Sequence, residues 1–155
     1  MKIGITFGVF DLLHIGQLVM LEEAKRNCDY LIVALKSDTS DTGYEMAPSQ
    51  TMVERFIKLE GCQFVDEIIP YESDRDVMDM LQSLAIDVRF VGQEYENSNF
   101  IGKKYCIDEG IALHYTKRKH RFSSAGLRTI VTEKEMAKSA AILATDKTKL
   151  TLQRS

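Results

Sequence analysis

Twelve residues near the start of the chain, Thr6-Phe7-Gly8-Val9-Phe10-Asp11-Leu12-Leu13-His14-Ile15-Gly16-Gln17, gather glycine, acid, imidazole and amide where an apolar run gives way to helical spacing. His14 and Gly16 fall at or just before that helix's N-terminus. Unsatisfied N–H groups and the helix dipole make such an end a seat for an anion. Gly16 lets a phosphate approach the backbone with no Cβ in the way. An imidazole in the same place can donate a hydrogen bond to a phosphoryl oxygen. The competing reading is structural: Asp11 caps the helix and His14 is an ordinary surface histidine.

A second group lies at the other end of the chain. Lys117, Arg118, Lys119, Arg121 and Arg128 place five positive charges in twelve residues with no acid among them, and His120 could add a sixth. A charge run of this kind is usually a solvated face. Ser123 and Ser124 follow at an expected helix start, where hydroxyls and amides suit phosphate. Single-stranded nucleic acid fits less well, because only Tyr115 and Phe122 supply nearby rings for stacking. The whole chain carries −3, from 23 acids and 20 basic residues, without the basic surplus of a dedicated nucleic-acid binder.

Other chemistries drop out on composition. Cys28, Cys62 and Cys106 are odd in number and far apart, so neither a zinc or redox C-x-x-C pair nor a disulfide framework is expected. They read as buried thiols in a reducing cytoplasm. Met1–Ile5 enters a strand-like run directly, and no run approaches the roughly 18 apolar residues of a membrane span. His114 alternates with apolar neighbours and reads as structural.

Five short β-branched runs must position these residues: Ile3–Phe10, Tyr30–Lys36, Val65–Pro70, Val88–Gly92 and Ile111–Thr116. Near-continuous apolarity marks strands covered on both faces. Helical spacing fills the gaps at Gly16–Asn27, Gln50–Leu59, Asp74–Leu84 and Lys103–Glu109, with Gly110 closing the last, and a final helix runs from Ser124 to about Thr145. The alternation predicts an α/β fold, a doubly wound, Rossmann-like, five-stranded parallel sheet in a single domain over 1–145, with a polar tail over 146–155. Ligands of such sheets sit beyond the carboxyl ends of the strands. The segments to watch are therefore Gly8–Gly16, Ser37–Gln50, Gly92–Phe100 and Lys117–Arg128.

The first of these resembles the G-x-F-D-x-x-H-x-G-H signature of the nucleotidyltransferase superfamily, and within it the glycerol-3-phosphate cytidylyltransferase-like family. The similarity continues through Asp29–Asp38, Glu54-Arg55, Phe64–Pro70, Val91–Tyr95 and Phe122–Arg128 in the expected order. The resemblance implies that a phosphorylated alcohol attacks the α-phosphorus of CTP, giving a CDP-alcohol and pyrophosphate. The attacking phosphate is already anionic, so no general base is needed; alignment and electrostatic stabilisation carry the reaction.

Carried over residue by residue, the resemblance makes His14, Gln17 and Arg118 the catalytic positions. Gly8, Val9, Phe10, Asp11, His14, Gly16, Gly92, Glu94, Arg118, Ser123 and Ser124 would bind nucleotide. Lys36, Asp38, Arg55 and Asp66 would face the acceptor or order its site. No metal ligands are assigned; Mg²⁺ would travel with the triphosphate. Relatives of this kind are usually homodimers.

Three positions depart from the pattern. Gln17 replaces a second histidine, and an amide donates a hydrogen bond but cannot become cationic. The segment 38–49 lacks the usual lysine, leaving Lys36 as its substitute. Val9 replaces a hydroxyl-bearing residue. These departures leave open a catalytically impaired nucleotide-binding protein. Because Ser123-Ser124-x-x-Leu127-Arg128 also resembles an adenylyltransferase segment, adenylyl transfer stays open as well.

Overall fold

A computed structural model describes residues 1–37, 48–117 and 133–145. Strands β1 (Ile3–Gly8), β2 (Tyr30–Lys36), β3 (Glu67–Tyr71), β4 (Val88–Gly92) and β5 (Ala112–Thr116) form one sheet in the order β3-β2-β1-β4-β5. All pairings are parallel, with Ile5 opposite Ile32 on one side and Arg89 on the other. The expected α/β doubly wound sheet is present.

Pleating sends alternate residues to opposite faces, and each face has its own core. Leu31, Val33, Leu35, Val88 and Phe90 pack under Leu21 and Ala24 of α1 (Ile15–Arg26) and Leu59 of α2 (Met52–Glu60). Ile5, Ile32 and Ala34 pack under Val77 and Leu81 of α3 (Asp74–Ser83) and Cys106 of α4 (Lys103–Asp108). Each fully buried Leu or Ile is worth about 1.5–3 kcal/mol of transfer free energy. Pro70 fits inside β3 because β3 is an edge strand, where a missing N–H breaks no inner ladder.

Thr51 and Ser73 cap α2 and α3 with reciprocal bonds to Glu54 and Asp76. Gly110, at φ 74°, follows α4 as expected. The cysteines are free; Cys106 is buried, whereas Cys28 and Cys62 are half-buried rather than fully enclosed.

Two differences from the sequence reading have physical causes. Strand β1 stops at Gly8, not Phe10, because Phe10 and Leu12 both take φ 51° and turn the chain sharply. Strand β3 begins at Glu67 rather than Val65; the Val65 and Asp66 amides donate to Cys62 and Leu31 carbonyls in the connection before it. The chain packs as two units, Met1–Arg118 and Lys119–Ser155. In the second, residues 133–145 are helical; the expected helix start at Ser124 and the tail over 146–155 lie outside the described residues.

Candidate active site

The turn from β1 into α1 stands at the carboxyl end of the sheet. Phe10 is 4% exposed and folds back into the core over Gly8, where a Cβ would lie 2.9 Å from its ring. Positive φ at Phe10 and Leu12 costs of order 1–3 kcal/mol each, so the surroundings must hold the turn. Asp11 does so by accepting from the Ser49 and Gln50 amides at 2.8 and 3.0 Å. Gln50 answers by accepting from the Leu12 amide at 3.0 Å. Those backbone bonds from Ser49 and then Gln50, with help from the Arg55 charge, hold the Asp11 carboxyl below its ordinary pKa.

Arg55 is the deepest member of the group, with 0% exposure. Its Nη1 donates to the Val9 carbonyl at 2.9 Å and the Lys36 carbonyl at 2.7 Å, and its Nε to Gln50 O at 3.3 Å. One guanidinium thus ties together the ends of β1 and β2 and the entry to α2. The bonds just named run to backbone and hold the site's frame.

His14 is the N-cap of α1, exposed at its ring. Its Nδ1 accepts from the Gly16 amide at 3.1 Å, and its own amide donates to Gln17 Oε1 at 3.2 Å. With Nδ1 accepting, the neutral ring carries its proton on Nε2, the nitrogen left for a ligand. Gly16 is needed for the close approach, since a Cβ there would stand 3.0 Å from His14 Cε1. The Gly16 and Gln17 amides, the latter bonded to His14 O at 3.0 Å, are engaged within the cap. The imidazole Nε2 is left as a side-chain donor at the helix N-terminus, with the helix dipole behind it; of the two donors that the sequence suggested, imidazole and free amides, the Gly16 and Gln17 amides are already bonded.

Gln17 acquires a role that its comparison with histidine hid. It is the N3 partner of a capping box, its carbonyl committed to His14 and its amide N–H groups left as donors. The spacing of a cap residue and a glutamine three later was the available signal.

Lys36 ends β2, and Gly92 and Glu94 follow from β4, which neighbours β1. These join Gly8, Val9, Phe10, Asp11, His14, Gly16 and Gln17 along one end of the sheet. Asp66 is not among them. It precedes β3 and accepts from the Leu31 amide at 2.8 Å and from Lys25 at 2.6 Å, at the amino end of the strands. Burial opposes ionisation of Asp66, yet the Lys25 contact and the Leu31 amide keep its pKa below the usual value. Asp38, Arg118, Ser123 and Ser124 lie outside the described residues.

Sequence reasoning missed Glu23. It sits on α1, 8% exposed, and accepts from the Lys117 amide at 3.1 Å with His114 Nε2 at 3.7 Å. A buried carboxylate thus fixes where the chain leaves β5 toward the basic segment. Helical spacing gave no hint, because Glu22 and Glu23 read alike as surface acids.

Among the described residues no helix is long and apolar enough to cross a membrane.

The chain has known relatives. The cytidylyltransferase-like family profile matches residues 5–138. Glycerol-3-phosphate cytidylyltransferase of Bacillus subtilis (strain 168) is 34% identical over 106 residues, spanning 68% of this chain and 82% of that protein. The protein of the same name from Staphylococcus aureus (strain NCTC 8325 / PS 47) is 30% identical over 128 residues, 83% of this chain and 93% of its own length. Bifunctional protein HldE of Helicobacter hepaticus (strain ATCC 51449 / 3B1) is 36% identical over 108 residues, but these cover only 22% of it. Among solved structures, the lipopolysaccharide core biosynthesis protein of Thermoplasma volcanium GSS1 superposes with a TM-score of 0.62 at 22% identity, over 77% of this chain and 99% of its own; this likeness concerns the fold. A turn held open by Asp11 and Arg55, a capped histidine and a parallel sheet matched over nearly its whole length lead to one assignment: the chain belongs to the cytidylyltransferase-like family of nucleotidyltransferases.

Proposed function

We propose that this chain transfers a cytidylyl group from CTP to a small phosphorylated alcohol of the glycerol 3-phosphate type. A phosphate oxygen of the acceptor forms a bond to the α-phosphorus, and the bond from that phosphorus to the bridging oxygen breaks. The products are a CDP-alcohol and pyrophosphate. The supporting observation is the His14 cap: with Nδ1 bound to Gly16 N, Nε2–H is oriented as a donor at a helix N-terminus, where negative charge is favoured. Charge that builds on the departing pyrophosphate is stabilised by that donor.

The rest of the chain supplies position. Asp11, Gln50 and Arg55 hold the β1 turn, and Glu23 holds the Lys117 amide; Arg118, Ser123 and Ser124 are the residues that the family resemblance assigns to the triphosphate. Magnesium enters with CTP as part of the substrate. We place the reaction in the cytoplasm and the working unit as a homodimer.

One observation favours a second reading, a nucleotide-binding protein with impaired catalysis. Gln17 spends its carbonyl on the cap and offers only a neutral donor. Pyrophosphate release measured with CTP and with ATP, against a panel of phosphorylated alcohols, separates the readings. Release with CTP supports cytidylyl transfer, release with ATP alone shifts it to adenylyl transfer, and nucleotide binding without release supports impairment.

A further inference from the structure

Arg89 interrupts the apolar face of β4. It is 7% exposed, and its register partners are Ile5 and Leu113. Burying a guanidinium in such a place is strongly unfavourable unless a counter-charge is buried with it. Among the described residues no carboxylate pairs with Arg89. Its Nη1 donates to the Ile101 carbonyl, the neutral Cys106 thiol lies beside the guanidinium, and the Arg89 Nε is buried with no hydrogen-bond partner among the described residues.

The surroundings are built around this cation. Phe7 and Phe100 each present a ring face, with centroids 4.9 Å from Cζ. Behind them stand Tyr71, edge-on to Phe7 at 5.6 Å, and Tyr115, edge-on to Phe100 at 6.5 Å. Gly102 takes φ 83°, and a Cβ on it would lie 3.0 Å from Nη1, so the backbone there passes against the guanidinium. Lys103 braces the same turn, donating to the Glu96 and Ser98 carbonyls at 3.3 and 2.8 Å. Holding the Ile101 carbonyl alone would need only a neutral donor. An orphaned buried N–H of a charged group asks for a partner, and here the partner that balances both the bond and the charge is an anion.

We propose that Arg89 is the recognition residue of an anion subsite beside β4, on the sheet face opposite α1, and that an acidic group of the acceptor, carboxylate or phosphate, supplies its counter-charge. The site is separate from the His14 cap. Its assignment to the acceptor rests on the transfer reading above; its affinity for anions does not.

Two measurements test it. The full chain and its Arg89→Met and Arg89→Lys variants are unfolded thermally in chloride, inorganic phosphate and malonate at constant ionic strength, each also in a His14→Ala background. Phosphate or malonate should raise the midpoint by several degrees in the Arg89 proteins, with or without His14, because a ligand that binds only the folded state stabilises it. A shift with phosphate but not malonate assigns the group as phosphate; a shift with both assigns a site open to carboxylate. Arg89→Met should lose the shift while its midpoint in chloride equals or exceeds that of the parent, and Arg89→Lys should keep part of the shift. A lower midpoint for Arg89→Met in chloride, together with no Arg89-dependent anion shift, means that the chain supplies its own counter-charge and overturns the proposal. In steady-state turnover Arg89→Met should raise the acceptor KM at least tenfold and leave the CTP KM unchanged. Equal increases in both, or none, overturn the acceptor assignment. If the parent turns over no nucleotide yet keeps its Arg89-dependent shift, the transfer reading fails and the anion subsite stands.

Discussion

Replacing Gln17 by glutamate should separate the two roles of this residue. The capping bond from the His14 amide needs an acceptor at N3, which a carboxylate provides as well as an amide. A negative charge in the first turn also favours the helix dipole by about 0.3–1 kcal/mol. Gln17→Glu should therefore fold with unchanged or slightly higher stability in urea. Its effect on an anion at the His14 ring runs the other way. One helical turn separates the two, about 5 Å. Unit charges at that distance repel by about 1.5–3 kcal/mol at effective dielectric constants of about 40 to 20. Nucleotide affinity by calorimetry should then fall by roughly 10- to 150-fold, and high salt should reduce the difference. Gln17→His is the complementary change. It should lose about 0.5–1.5 kcal/mol from the cap and gain at least tenfold in pyrophosphate release. Unchanged affinity in Gln17→Glu would refute the placement of phosphate at this helix end.

Three further changes follow from the same geometry. His14→Ala should lose about 1 kcal/mol by chemical denaturation and about 100-fold or more in turnover, whereas His14→Asn, which keeps a capping oxygen, should recover the stability alone. Arg55→Leu leaves the Val9, Lys36 and Gln50 carbonyls without their shared donor, so urea unfolding should show a loss of about 3–5 kcal/mol; a loss under 1 kcal/mol would mean the guanidinium does not hold the turn. Asp11 has its folded pKa held below 3.8 by the Ser49 and Gln50 amides. Its contribution is therefore complete above the unfolded value and is lost as pH falls through the folded one. Thermal midpoints measured below pH 4 should fall more steeply for the parent than for Asp11→Asn, and parallel curves would contradict the assignment.

Period and punctuation made the sheet legible. Runs such as Tyr30–Lys36 are apolar throughout because both faces are covered, and β2 runs from Tyr30 to Lys36 as expected. The end of β1 was not legible, because nothing local marks Phe10 and Leu12 for positive φ; contacts from residues 49–55 impose it. Motif order set His14 and Gln17 at the start of α1, yet the cap that joins them is a three-dimensional bond. Asp66 shows the limit of motif order, which does not say at which end of a strand a residue lies. Arg89 and Glu23 escaped, and the burial of Arg55 was not foreseen, because charge in a sequence reads as surface. Each is enclosed by elements distant in sequence, and tertiary contacts alone decide that.

Cytidylyl transfer through a capped histidine yields two products that can be counted. Its most direct measurement is pyrophosphate release and CDP-alcohol formation by the full chain, supplied with CTP, Mg²⁺ and glycerol 3-phosphate or a related phosphorylated alcohol, beside His14→Asn. The two products should form in equal amounts, with a preference for CTP over ATP and turnover at least about 100-fold lower in the variant. Failure to bind CTP together with no release from any nucleotide–acceptor pair, or equal turnover in the parent and His14→Asn, would contradict cytidylyl transfer through the capped histidine.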